Sequence, residues 1–291
     1  MPAGRLVILA GGISSRMKKS VASPTLVEKE LIRDADQKAK SMIGVGENRR
    51  PFLDYLLYNS KQAGYRDILI VIGEKDSSIR TYYGSKDRDN DFNGLLISYA
   101  IQEIPAGREK PLGTADALYQ GLKCASNWEG NRFTVCNSDN LYSEKALRLM
   151  LGTEYDNAMI DYDRRALQFE RKRIERFAVT EKDGDGFLTN IVEKPSEAQI
   201  DMAGGKDGFI GVSMNIFSLQ YDMVLPFLEG VPLDPVRQEK ELPRAITMMV
   251  MAHPKCVYAY PLAEHVPDLT DKNDILPVKQ FLETHFENAS F

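Results

Sequence analysis

At 291 residues, with 43% hydrophobic side chains and a formal net charge of -5, the chain is sized for one large core or two small ones. Its acidic balance offers no basic face for nucleic acid, and no apolar run approaches the length needed to cross a bilayer. Cys124, Cys136 and Cys256 are widely spaced among apolar neighbours, so they argue against a disulfide framework or a zinc cluster.

Leu6 to Ala10 follows Arg5 as a short apolar run stopped by Gly11-Gly12, which predicts a buried strand and a glycine-rich turn. The run is too short for a signal-peptide core, and the expected location is the cytoplasm. From Thr25 to Lys40 the sequence is polar with helical spacing of Leu31, Ile32 and Ala35, predicting an exposed helical insertion near 21–39. Pro51 opens a helix to Ala63, and Asp67 to Gly73 is a second buried strand, giving a βαβ rhythm and parallel pairing. The rhythm repeats with a strand at 95–102, a helix at 115–124, a strand at 132–136, a helix at 143–151 and a strand at 158–161. That succession predicts a doubly wound α/β sheet.

Two alternating segments follow, 173–180 and 187–193, hinged on the hairpin signature Asp183-Gly-Asp-Gly186. A long strand at 209–217, helices near 220–228 and 242–252, a strand at 256–260 and a final helix from about Lys272 complete the chain. The second half, from about 165, is expected to cap the ligand face of the sheet. With no repeat or linker to mark a boundary, the chain reads as a single domain over 1–291.

In an open parallel sheet, ligands sit beyond the carboxyl ends of the strands. Four strand ends carry suitable chemistry. After the first strand, Gly11-Gly12 and Arg16 suit a phosphate, through backbone N–H groups and a forked guanidinium. Asn137-Ser-Asp139-Asn140 puts a carboxylate where Mg²⁺ takes one or two, although an Asp there also suits a helix cap. Gly113-Thr114 stands at a helix start, as a ligand site or a plain N-cap. Glu193-Lys194-Pro195 closes a strand with an acid and a base on opposite faces.

Other patterns fit less well. Asp87-Arg-Asp89-Asn-Asp91 lacks the glycine and the bidentate Glu of a calcium loop and reads as a solvated loop. Asp161-Tyr-Asp163 has the Asp-x-Asp form used by many glycosyltransferases. His253, His265 and His285 lack metal-ligand spacing.

Taken in order, the four sites resemble the sugar-nucleotide pyrophosphorylase (sugar-phosphate nucleotidyltransferase) superfamily of glycosyltransferase-A-like fold. The resemblance implies a three-layer α/β sandwich with a mostly parallel mixed central sheet, of the nucleotide-diphospho-sugar transferase type. It implies a Mg²⁺-dependent transfer of a nucleotidyl group from a nucleoside triphosphate to a sugar 1-phosphate, releasing pyrophosphate. Ala10, Gly11, Gly12, Gln102, Gly113 and Thr114 correspond to the family's nucleotide-binding positions, and Asp139 and Asp268 to its metal ligands. Arg16, Lys40 and Lys194 take the catalytic positions, with Lys18 and Lys19 as rivals to Lys40 because of the insertion. Glu193, Asn140 and Gly211 take the sugar-binding ones. The implied partners are these two substrates, not nucleic acid or membrane, with a homo-oligomer left open. Two readings stand beside this one: a glycosyltransferase using Asp161 and Asp163, and a nucleotide-binding regulatory homologue without turnover. Gln102 tilts the base toward a pyrimidine, since an amide can both donate and accept.

Overall fold

The computed structural model describes residues 4–20, 29–204 and 208–291. In chain order the strands and helices are β1 (Gly4–Ala10), α1 (Ser15–Lys19), α2 (Lys29–Gln37), α3 (Phe52–Ala63), β2 (Tyr65–Gly73), α4 (Ser78–Tyr83), β3 (Asn90–Phe92), β4 (Leu95–Gln102) and α5 (Thr114–Cys124). They continue with β5 (Arg132–Asn137), α6 (Glu144–Gly152), β6 (Asn157–Asp163), α7 (Arg171–Ile174), β7 (Val179–Lys182), β8 (Leu188–Val192) and α8 (Glu197–Met202). The last are β9 (Gly211–Gln220), α9 (Tyr221–Gly230), α10 (Leu242–Ala252), β10 (Val257–Leu262) and α11 (Ile275–His285).

The sheet runs β10-β6-β9-β5-β1-β2-β4-β3, with the β7–β8 hairpin attached to β9. Pairing is parallel through β5, β1, β2 and β4, and again between β10 and β6. Strand β9 runs antiparallel between β5 and β6, which makes the sheet mixed. The central strands are apolar on both faces because both faces are covered by helices. Leu6 and Ile8 pack on one side with α3, α6 and α11. Val7 and Leu9 pack on the other with α5, α9 and α10. These are the three layers the sequence leads one to expect.

Three expectations need correcting. The segment 173–180 is not one strand: Ile174 N–H donates to Glu170 O at 3.1 Å and Glu175 N–H to Arg171 O at 3.0 Å, so its start turns as α7 and the strand begins at Val179. The solvated loop at 87–91 ends in β3, antiparallel to the edge strand β4. The expected insertion lies partly outside the described residues, since 21–28 are not described. Its described part, α2, is not simply exposed, because Leu31 and Ala35 are buried in the core.

The Asp-x-Asp pair has structural partners. Asp161 is 1% exposed and lies between Thr180 Oγ1, at 2.5 Å, and Lys182 Nζ, at 2.7 Å. Asp163 accepts from Arg165 N–H and pairs with its guanidinium. Neither lines the cavity described next, so the glycosyltransferase reading loses its metal ligands.

Candidate active site

A cavity of about 1010 Å³ opens at the carboxyl ends of β1, β4 and β5, where the strand order departs to either side of β1. Twelve of the expected residues line it: Ala10, Gly11, Gly12, Arg16, Lys40, Gln102, Gly113, Thr114, Asp139, Asn140, Glu193 and Asp268. Lys194 and Gly211 do not. Lys194 is exposed beyond β8 with φ of 48°, and Gly211 lies beneath the walls, against Asp161. Of the rival lysines, Lys40 faces the cavity, whereas Lys18 and Lys19 are exposed on α1 outside its lining.

The floor is built by a short crossing of chains. Asn140 and Asp268 form an isolated antiparallel bridge, Leu269 N–H donates to Asp139 O at 2.9 Å, and Leu141 N–H donates to Pro267 O at 2.9 Å. This crossing brings Asp139, at the middle of the chain, together with Asp268 near its end. Each is held by a cation: Lys40 Nζ stands 2.9 Å from Asp139 Oδ2, and Arg173 Nη2 stands 2.7 Å from Asp268 Oδ2. Asp268 is 8% exposed, and burial, followed by the charge of Asp139, pushes its carboxyl up to about 6 against the pull of Arg173. Burial, with Glu241 nearby, raises Glu193 as well.

On the facing wall, Gln102 is 2% exposed and its Nε2 donates to Gly113 O and to Asp116 Oδ2, both at 2.9 Å. Both amide hydrogens are thereby used, and the amide offers only its oxygen to a ligand. The pyrimidine tilt therefore loses its basis. Gly11 passes so close that a Cβ there would stand 2.7 Å from Gln102 Oε1, which is why the turn needs glycine at that point. The start of α5 is not open to a ligand throughout. Ala115 N–H donates to Lys240 O at 2.9 Å, and Thr114 Oγ1 accepts from Leu242 N–H at 2.9 Å, so Thr114 also fastens α5 to the loop before α10.

Sequence reasoning missed Arg173 and set His265 aside for lack of metal-ligand spacing, yet both line the cavity. Arg173 bridges Asp268 and Asp274 and stacks 4.4 Å over Phe169. His265 lies among Phe169 and Phe281, and its Nδ1 accepts Gln168 N–H at 3.1 Å. Burial, then Arg173 and His285, hold its imidazole down to about 4. An unfolded imidazole titrates near ~6.5, so the unfolded chain binds the extra proton first. Stability is expected to be full above that value and to fall by about 2 to 3 kcal/mol as pH drops towards 4. Urea unfolding of wild type and His265→Gln across this range checks it: the variant's decline should be shallower by that amount, and parallel curves would refute it.

A glycine turn, a guanidinium and two facing carboxylates at the switch point of a mixed sheet are the parts of a phosphate-handling transferase, and the chain belongs to the nucleotidyl transferase family, whose model matches residues 35–279. Among curated relatives, the glucose-1-phosphate adenylyltransferase of Anaeromyxobacter dehalogenans is 26% identical over 198 residues, covering 68% of this chain and 44% of that protein. The Paraburkholderia phymatum enzyme of the same name is 24% identical over 268 residues, covering 89% and 59%. The chain thus spans about half the length of the curated relatives it matches. A solved UDP-glucose pyrophosphorylase complexed with UDP-glucose superposes with a TM-score of 0.69 at 15% identity, covering 97% of this chain and 99% of that one, and so has the same fold. Among the described residues no helix is long and apolar enough to cross a membrane.

Proposed function

We propose that the chain transfers a nucleotidyl group from a nucleoside triphosphate to a sugar 1-phosphate, giving a nucleoside-diphosphate sugar and pyrophosphate. The observation that carries this reading is the meeting of Asp139 and Asp268 in one cavity with the glycine turn, Arg16 and Gln102. The relatives' names support the two substrate classes, a nucleotidyl donor and a sugar 1-phosphate.

The residues fit Mg²⁺. Two carboxylates that repel each other in a buried floor are hard oxygen donors needing a positive charge, and Mg²⁺ commonly takes one or two carboxylates together with substrate phosphates. Asp139 and Asp268 would hold it, and it would supply neutralisation of the negative charge on the reacting phosphates. The backbone of Ala10, Gly11 and Gly12 cradles the triphosphate, while Arg16 and Lys40 neutralise the departing pyrophosphate. Gln102 accepts a hydrogen bond from the base, and Glu193 and Asn140 orient sugar hydroxyls. No general base is required, because a phosphate monoester with a second pKa near ~6 is already largely dianionic at neutral pH. Alignment and charge neutralisation then make up most of the catalysis, as in phosphoryl transfer generally. A cytoplasmic setting goes with this reading, since its substrates are multiply charged and do not cross a bilayer unaided.

The test is a turnover screen pairing four nucleoside triphosphates with common sugar 1-phosphates in the presence of Mg²⁺, read by pyrophosphate release. Release that depends on both substrates supports the reading and identifies base and sugar. No release with any pair overturns it, and calorimetric nucleotide binding without turnover would favour the silent regulatory homologue instead.

A further inference from the structure

The carboxylate of Asp268 is already occupied. Arg173 places Nη2 2.7 Å from Asp268 Oδ2 and pairs through Nη1 with Asp274 Oδ1, so one guanidinium spans two buried acids. The same Asp268 carboxylate also accepts from Thr270 Oγ1, at 2.9 and 3.0 Å. Asp274 is committed to the chain turn through the N–H groups of Thr270, at 2.7 Å, and Asp271, at 2.8 Å. Asp274 therefore keeps its place whatever the arginine does, while Asp268 faces the cavity with Arg173 as its counter-charge. Arg173 comes from α7, a four-residue turn whose neighbours Glu170, Arg171 and Lys172 are exposed, so the side chain can leave without unpacking the core.

The geometry points to Arg173 as a tethered counter-ion that holds the divalent-cation seat and is exchanged for the cation on loading. A guanidinium and a divalent cation on one carboxylate weaken each other's hold, because two like charges then stand a few ångströms apart in a poorly solvated floor. Paired with Asp268, the arginine offsets the repulsion between Asp268 and Asp139. Loading frees a guanidinium on the cavity wall, beside Phe169 and among Lys172 and Arg176, where a phosphate is its natural next partner. The nucleotide-free chain is thus a poor ligand for a bare cation, and the cation enters with a phosphate that gives Arg173 somewhere to go. This rests on the proposed function only in taking Asp139 and Asp268 as the cation seat.

The experiment uses Mn²⁺ as probe and the full chain without nucleotide, with free Mn²⁺ read by its electron paramagnetic resonance signal. Arg173→Gln is expected to bind Mn²⁺ about tenfold more tightly than wild type, and Arg173→Lys, which keeps a charge, to stay within about threefold of it. Asp268→Asn added to Arg173→Gln should abolish the gain. Equal or weaker binding by Arg173→Gln overturns the proposal, as does a gain that survives Asp268→Asn. If Arg173→Gln fails to fold, the Nε–H resonance of Arg173 in ¹⁵N-labelled wild type is followed during Mg²⁺ titration. A shift that Asp268→Asn eliminates supports exchange, and no shift at saturating Mg²⁺ overturns it. None of these readings uses turnover, so failure of the pyrophosphate screen and failure of the exchange are seen separately.

Discussion

Asp139→Asn is expected to lower pyrophosphate release by about 10³-fold at saturating Mg²⁺ while leaving the melting temperature almost unchanged. The side chain is partly exposed, its backbone carbonyl rather than its carboxylate ties it to Leu269, and an amide fills the same space. The fold therefore keeps its crossing, and what is removed, on the proposed function, is one of the two negative charges that would draw a cation to the reacting phosphates. Asp268→Asn should lose a similar factor, and the double variant should be only slightly worse than either, because groups that act as one unit give strongly non-additive losses. A pyrophosphate-coupled assay on the three variants decides it. Near-normal release by Asp139→Asn, or losses that multiply in the double variant, would show that the two carboxylates do not hold one cation.

Gly211→Ala is expected to cost about 3 to 5 kcal/mol of stability without touching the cavity. Gly211 opens β9 opposite Asp163, and an added Cβ would overlap both Asp161 carboxylate oxygens and Thr180 Oγ1. Something must then move, and what moves is a buried ion pair: burial already raises the Asp161 carboxyl, against the pull of Lys182. Pushing the carboxylate off Lys182 leaves an uncompensated charge in the core, the costly way to disturb such a pair. Urea unfolding with an unchanged slope and a markedly lower midpoint is the expected result. A variant within about 1 kcal/mol of wild type would mean that the pocket around Asp161 yields more readily than close packing suggests.

The parts of this structure that could be read from sequence are those governed by short-range pattern. Continuous apolar runs marked β1 and β2, and polar residues just beyond such strands pointed to Gly11, Asp139 and Glu193, because the carboxyl ends of a parallel sheet all open on one side, while Gln102 entered only through the family resemblance. What escaped depends on contacts distant along the chain. Arg173 meets Asp268 across 95 positions, and polar–apolar alternation over Arg173-Ile174-Glu175 suits the start of a strand as well as a helical turn. Helix α8 is announced by a Ser196–Gln199 capping box, a signal present in the sequence and overlooked. Lys194 sits beside Glu193, which does face the cavity. One step along a strand or turn reverses the direction of a side chain, so neighbourhood in sequence did not give neighbourhood in space.

The clip between α5 and the loop leading to α10 has a mechanical consequence. Lys240 both donates its N–H to Leu112 O and accepts from Ala115 N–H, and Leu242 N–H is held by Thr114. The base-side wall and α10 are consequently fastened at three points and travel as one body. The opposite wall, carrying Phe169, Arg173 and Arg176, hangs on a four-residue turn and ion pairs. The cavity is hinged like a box with one fixed side: the wall of Gln102 and Gly113 is fastened to α10, and the wall of Phe169, Arg173 and Arg176 is the one with room to move.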